Sequence, residues 1–269
     1  MNKKFLDYDL LQSLNKDLFI LKYPFPWLNF NQFLTSEVFK KLNHDFPRLN
    51  YFEKHKAIKR VYGQKPHDRY YLAYEKSNYH LHNRKKKGIV KLKQLPKSWQ
   101  RFMEELETSL DYQNFIKSLF EVSDFRVRYA WHVGVTNSDV SPHIDDPKKI
   151  GTHILYFNTS EDWNPDWGGS TLILGGKLTN AMNPDFTDFT TITPTQFLDN
   201  FSFIFKNTPN AWHGVKPLTC PQGKYRRIFN IIFEFSDPKR QLTQSSLQSE
   251  LPVPWPKKLV NKIIKNLAG

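Results

Sequence analysis

Two stretches decide the fold: Phe201-Ser202-Phe203-Ile204-Phe205 and Arg227-Ile228-Phe229-Asn230-Ile231-Ile232-Phe233-Glu234-Phe235. Both are short runs rich in aromatic and β-branched residues, which suit a pleated, half-buried surface better than a helix. Three more runs upstream share this character: Phe125–His132, Thr152–Phe157 and Ser170–Leu174. Turn-forming residues separate them at Asn137-Ser138-Asp139, Asp145-Asp146-Pro147 and Trp167-Gly168-Gly169. Many short strands at roughly regular spacing point to a double-sheet jelly roll, a double-stranded β-helix, over residues 123–236.

Outside this core the character changes. Pro24-Phe25-Pro26-Trp27-Leu28-Asn29-Phe30 reads as one short strand. A helix begins at Thr35 or Ser36, with Val38, Leu42 and Phe46 on one face. Near-helical spacing of Trp99, Phe102, Met103, Leu106, Leu110, Phe115, Leu119 and Phe120 predicts one or two amphipathic helices over 98–122. Residues 1–122 are therefore expected to form a helical and lid region packed on the core. Residues 237–269 form a polar tail ending in a basic amphipathic helix over Lys257–Leu267. The fold class is mainly β with flanking helices (α+β), a jelly-roll core behind an N-terminal helical region.

Composition narrows the function. With a single cysteine, Cys220, among 269 residues, neither an intrachain disulfide nor a cysteine-based zinc or iron–sulfur site can form. The charged start, Met1-Asn2-Lys3-Lys4, is followed by no long apolar run, so neither a signal peptide nor a membrane span is expected, and the reading is cytoplasmic. The net charge of +13 fits an anionic partner or simply a lysine-rich composition.

Chemistry concentrates at three positions. In Ser141-Pro142-His143-Ile144-Asp145-Asp146-Pro147, His143 and Asp145 are two residues apart and share a face if the chain is extended. His213 follows in Asn210-Ala211-Trp212-His213-Gly214-Val215. Two imidazoles and one carboxylate are the facial triad of non-haem Fe(II) oxygenases, which leaves coordination positions open for co-substrate and O₂. Arg226, thirteen residues after His213, can bind a carboxylate bidentately. Alternation puts Arg226 and Arg227 on opposite faces of one strand, so only one of them can point into the barrel. Asp146 reads as a turn cap, and His132 and His153 as structural histidines. His44, His55, His67, His80 and His82 show no metal spacing.

These pieces run in order as His143-Ile144-Asp145, Leu155-Tyr156-Phe157-Asn158, Asp166-Trp167-Gly168-Gly169, Trp212-His213-Gly214-Val215 and Arg226 to Phe233. Together they resemble the 2-oxoglutarate/Fe(II) dioxygenase superfamily, especially its prolyl-hydroxylase-like branch, over residues 124–235. The resemblance implies that His143, Asp145 and His213 bind iron and that Arg226 and Tyr156 contact 2-oxoglutarate. It implies O₂ as oxidant, ascorbate as a possible stimulant, and succinate and CO₂ as co-products. Related halogenases carry a small residue where Asp145 stands, so the aspartate favours hydroxylation. The substrate is expected to be an amino acid, a peptidyl residue or a small metabolite, an anionic one among the options.

Two other readings compete with this one. A nucleic-acid demethylase of the same superfamily would show a second arginine six residues on, where Ile232 and Phe233 stand, so a nucleic-acid partner is not expected. A non-catalytic jelly-roll module would not need the triad together with the arginine. The segment 55–97 mixes cations such as Arg60, Arg69 and Arg84–Lys87 with tyrosines and reads as a lid poor in regular elements, with Arg60 and Arg69 facing the substrate. Oligomeric state is not legible.

Overall fold

In the computed structural model the described residues are 4–58, 65, 67–75, 87–237, 239, 240 and 242. The expected helix at Lys257–Leu267, and with it Arg60 and Arg84–Lys86, lies outside them.

The strands form two sheets. The larger has the order β1-β10-β7-β12-β5-β3-β2, with short β4 (Ile89–Val90) beside β3. Its members are β1 (Trp27–Asn31), β10 (Phe201–Lys206), β7 (Lys149–Tyr156), β12 (Arg226–Glu234), β5 (Arg126–Gly134), β3 (His67–Tyr74) and β2 (Glu53–Ile58). The smaller has the order β6-β11-β8-β9, from Val140–His143, His213–Val215, Leu172–Lys177 and Phe189–Pro194. All pairings are antiparallel except β3–β4. Two sheets facing each other make the jelly roll that the strand pattern predicts.

Five expected strands form close to their expected limits. The segment expected to be a lid differs: β2 and β3 extend the large sheet beyond β5, with Tyr71 opposite His132 and Ala73 opposite Ala130. Its alternate residues face a cavity instead of a core, so the charge pattern hides a strand. Pro142 is tolerated in β6 because β6 is an edge strand.

Helices α1 (Tyr8–Ser13), α2 (Lys16–Ile20), α3 (Ser36–His44), α4 (Lys97–Thr108) and α5 (Leu110–Phe120) lie with the first half of the chain. Asp7 caps α1, accepting from the Leu10 amide at 2.9 Å, and Ser109 caps α5 from the Tyr112 amide at 3.2 Å. The buried faces of α4 and α5 cover the outer face of the large sheet. Trp99 of α4 is fully buried, 5.3 Å from the Trp131 ring and 5.1 Å from that of Phe229. Its indole N–H donates to the Leu42 carbonyl at 3.1 Å, which ties α4 to α3. Burying each such side chain stabilises the fold by roughly 1.5–3 kcal/mol. Among the described residues no helix is long and apolar enough to cross a membrane.

Candidate metal centre

The inner faces of the two sheets enclose a cavity of about 390 Å³, within the size range of small-molecule sites. His143, Asp145 and His213 meet in its wall, each offering a ligand atom within 4.8 Å of the others. His143 ends β6 and stands opposite His213, the first residue of β11. Their rings lie 4.3 Å apart. Asp145 lies two residues past β6, in irregular chain, so its convergence with His143 comes from the turn that follows the strand and not from strand alternation. The buried Asn207 side chain fixes that turn by donating to the carbonyls of Asp146 at 3.0 Å and Lys149 at 3.1 Å. Asp146 accepts from the Lys148 amide at 2.9 Å, a turn cap as the sequence suggests.

Both imidazoles are oriented from behind. His143 Nδ1 donates to the Ser141 carbonyl at 2.9 Å, and His213 Nδ1 to that of Ala211 at 2.8 Å. Nε2 of each ring is thereby left bare of a proton, the state in which histidine binds a metal. Burial pushes both imidazoles below their ordinary pKa; the neighbouring His213 adds to the shift at His143. Burial alone would raise the Asp145 carboxyl, but the Lys149 ammonium overrides it and holds the group well below the usual carboxylate range. Lys149 Nζ sits 2.6 Å from Asp145 Oδ1, and Thr152 Oγ1 donates to Oδ2 at 3.2 Å. Two neutral imidazoles and one ionised carboxylate are the protonation states that a divalent cation requires, and the donor set suits iron(II).

Arg226, on β12, points into the same cavity. It is buried, its Nε donates to the Gly169 carbonyl at 2.6 Å, and its Nη2 has no partner among the described residues. A buried guanidinium nitrogen without an acceptor is costly, which is the signature of a seat for an anion. Gly169 has φ +111°, and a Cβ there would press on Arg226 Cδ at 3.3 Å, so only glycine both turns the chain and leaves room for the arginine. Arg227 faces the other way and pairs with Asp162.

Tyr156 lies beneath Arg226, its ring centroid 5.7 Å from the guanidinium carbon. Its hydroxyl donates to Thr171 Oγ1 at 2.7 Å and lies 3.1 Å from Thr195 Oγ1, so it supports the arginine's end of the cavity from behind its wall. His153 faces the opposite side of β7, 3.1 Å from the Tyr112 hydroxyl. His132 and Arg69 line the cavity. Cys220 is buried and free. Sequence reasoning missed Lys149, Thr152 and Arg128 as cavity residues. Strand parity carried a signal for Thr152, since 152, 154 and 156 share a face.

The opposed sheets, with the triad in the wall of the cavity between them, are the architecture of the 2-oxoglutarate/Fe(II) oxygenases, and this chain has that fold. Within that class it is similar to a prolyl-4-hydroxylase of Pseudomonas putida, with TM-score 0.52 at 13% identity over 84% of this chain and 99% of the other. It is also similar to a Trichoplax adhaerens prolyl hydroxylase solved with a hypoxia inducible factor peptide fragment, with TM-score 0.50, 11% identity, and 84% and 90% of the two chains covered. A non-haem α-ketoglutarate-dependent carbocyclase from nogalamycin biosynthesis gives TM-score 0.54 at 10% identity, covering 84% of this chain and 86% of the other. No protein-family model matches the chain, and no curated protein matches it in sequence.

Proposed function

We propose that this protein is an Fe(II)- and 2-oxoglutarate-dependent oxygenase that hydroxylates a C–H bond of an amino acid, a peptidyl residue or a small metabolite. One observation carries the reading: a His-Asp-His triad and a buried arginine with an unpartnered nitrogen share one cavity. His143, Asp145 and His213 hold the metal, and Arg226 binds the distal carboxylate of 2-oxoglutarate through Nη2. Tyr156, whose ring lies 5.7 Å from the Arg226 guanidinium carbon, contacts the same co-substrate. Iron, once loaded, supplies the oxidative chemistry that converts 2-oxoglutarate and O₂ to succinate and CO₂ and hydroxylates the substrate. The chain's own part is positioning and the exclusion of water: Ile154, Phe205, Ile228 and Ile232 line the cavity with apolar surface. The Lys149 ammonium and the Thr152 hydroxyl keep Asp145 ionised and fixed in orientation. The peptide-bound structural neighbour supports a peptidyl or small-molecule substrate. The lone buried cysteine favours a reducing compartment.

The test is succinate release from 2-oxoglutarate by the iron-loaded full chain, with a substrate pool searched by mass spectrometry for products heavier by one oxygen atom. His213→Ala should lower metal affinity by at least about 100-fold and remove turnover, since even outer-shell partners cost roughly 10–100-fold. Undiminished succinate production by this variant would refute the assignment.

A further inference from the structure

The cavity does not stop at the metal. Its lining crosses five neighbouring strands of the large sheet, from Thr152 on β7 through Ile232 on β12, Arg128 and His132 on β5, and Tyr71 and Arg69 on β3 to His55 on β2. With neighbouring strands roughly 4.8 Å apart, this is a span of about 19 Å, longer than the co-substrate needs. The far part is an arm built by β2 and β3, the strands added beyond β5. Its floor is a row of rings: His55 stacks on Tyr71 at 5.2 Å, and Tyr71 meets His132 edge-on at 5.1 Å. Arg69 stands opposite His55 on the paired strand, its guanidinium carbon 5.9 Å from the Tyr71 ring. Glu53 is 3.3 Å from His55 Nε2 and helps to orient that ring, and Asp68 and Asp139 line a smaller pocket together with Arg69 and His132.

The geometry points to an anion subsite in this arm: the substrate carries a carboxylate or phosphate group remote from the carbon that reacts, and Arg69, with His55, reads it. The inference deepens the proposed function and rests on it, because the metal end of the cavity defines where the reacting carbon sits. Three features support it. The arm opens into the metal cavity itself and not onto a separate surface. It carries an arginine, Arg69, whose planar fork matches carboxylate and phosphate oxygens. The flat faces of Tyr71 and the two imidazoles offer a stacking wall for the part of the substrate between the two ends.

The same surface would look alike if Arg69 merely packed on Tyr71, so the test must separate the two. The probes are three ligands on one phenylpropyl skeleton ending in a carboxylate, a phosphonate or a neutral amide. Binding to the full chain, loaded with Mn(II) and saturated with 2-oxoglutarate so that Arg226 is engaged, is measured by calorimetry. At least one anionic probe should bind tenfold or more tighter than the amide. In Arg69→Gln that anion-to-amide ratio should fall about tenfold, and Arg69→Lys should retain part of it. The preferred headgroup tells carboxylate from phosphate. Equal binding of the three probes to the wild type, absence of binding by all three, or an unchanged ratio in Arg69→Gln would each overturn the subsite. Failure of the wild type to bind Mn(II) and 2-oxoglutarate at all would instead count against the oxygenase reading, and the probe ratio would then be read on the metal-free chain.

Discussion

The two faces of the large sheet are made from the same strands and behave as different materials. Along β12, Phe229, Ile231 and Phe233 point outward into the layer of helices, all fully buried among apolar side chains. Arg226, Ile228, Asn230 and Ile232 alternate with them and point inward, where Arg226 and Asn230 bring into the cavity wall buried polar atoms that have no partner among the described residues. β5 repeats the contrast, with Tyr129 and Trp131 outward and Arg128 and His132 inward. A period of two thus divides one strand between stability and chemistry. The outer face spends nothing on function, and the inner face tolerates unsatisfied groups because the packing behind it holds them in place.

The contrast can be broken most forcefully from the outside. Phe229 packs on Trp99, Trp131 and Tyr129, with ring centroids 5.1, 4.8 and 5.8 Å away. Phe229→Ala should cost roughly 3–5 kcal/mol of stability by lost transfer energy and the cavity left behind. Denaturant unfolding measures it. At temperatures where the variant is folded, Mn(II) affinity should stay near the wild-type value; a metal affinity that collapses with the folded state intact would show that the two faces are not separable.

A sharper cut exchanges faces within one dipeptide. Arg226→Ala removes a buried charged donor from the cavity and should weaken 2-oxoglutarate binding by about 1.5–3 kcal/mol, the range for a hydrogen bond to a charged group. Arg227→Ala breaks a half-buried outward pair with Asp162 and should change that affinity little. Calorimetry with Mn(II) present measures both. The reverse order of effects would place the co-substrate on the wrong side of the strand.

The outer face was far more legible in sequence than the inner one. Phe125–His132, Thr152–Phe157, Phe201–Phe205 and Arg227–Phe235 declared themselves because apolar burial leaves a period. The helices over 97–120 did so for the same reason, through Trp99, Phe102, Met103 and Leu106. β11 and β6 escaped because they span only three and four residues. β9 escaped because only Phe189 of its six residues is buried. β2 and β3 escaped because a cavity selects charge and imidazole where a core would select aliphatics. In the site, residue identity and spacing pointed to His143, Asp145 and His213, while the preference for Arg226 over Arg227 came from the family resemblance. Lys149 was not legible as the counter-charge of Asp145, since that contact depends on a turn whose path is fixed by Asn207, some sixty residues away.

The finest test of the division concerns a polar group placed on the apolar face. His153 points outward from β7, fully buried, 4.5 Å from the Phe33 ring, with no partner for Nε2 among the described residues. Burial pushes its pKa down to about 3. In the unfolded chain a histidine titrates near 6.5. The folded state therefore prefers the neutral ring, and the unfolded state takes up the proton first. Stability from this group is fully present above about pH 6.5 and is lost as pH falls towards 3, by up to about 1.4 kcal/mol per pH unit. His143 and His213 are shifted in the same direction, so the wild-type slope alone does not isolate His153. The difference between wild type and His153→Phe does, provided both are unfolded in urea at pH 7.5 and pH 5.5. The variant loses the contact with the Tyr112 hydroxyl and should be no more stable at the higher pH. It should nevertheless lose about 1 kcal/mol less than the wild type between the two. Equal losses would mean that His153 already has access to water when the chain is folded, and that the outer face is less sealed than its packing implies.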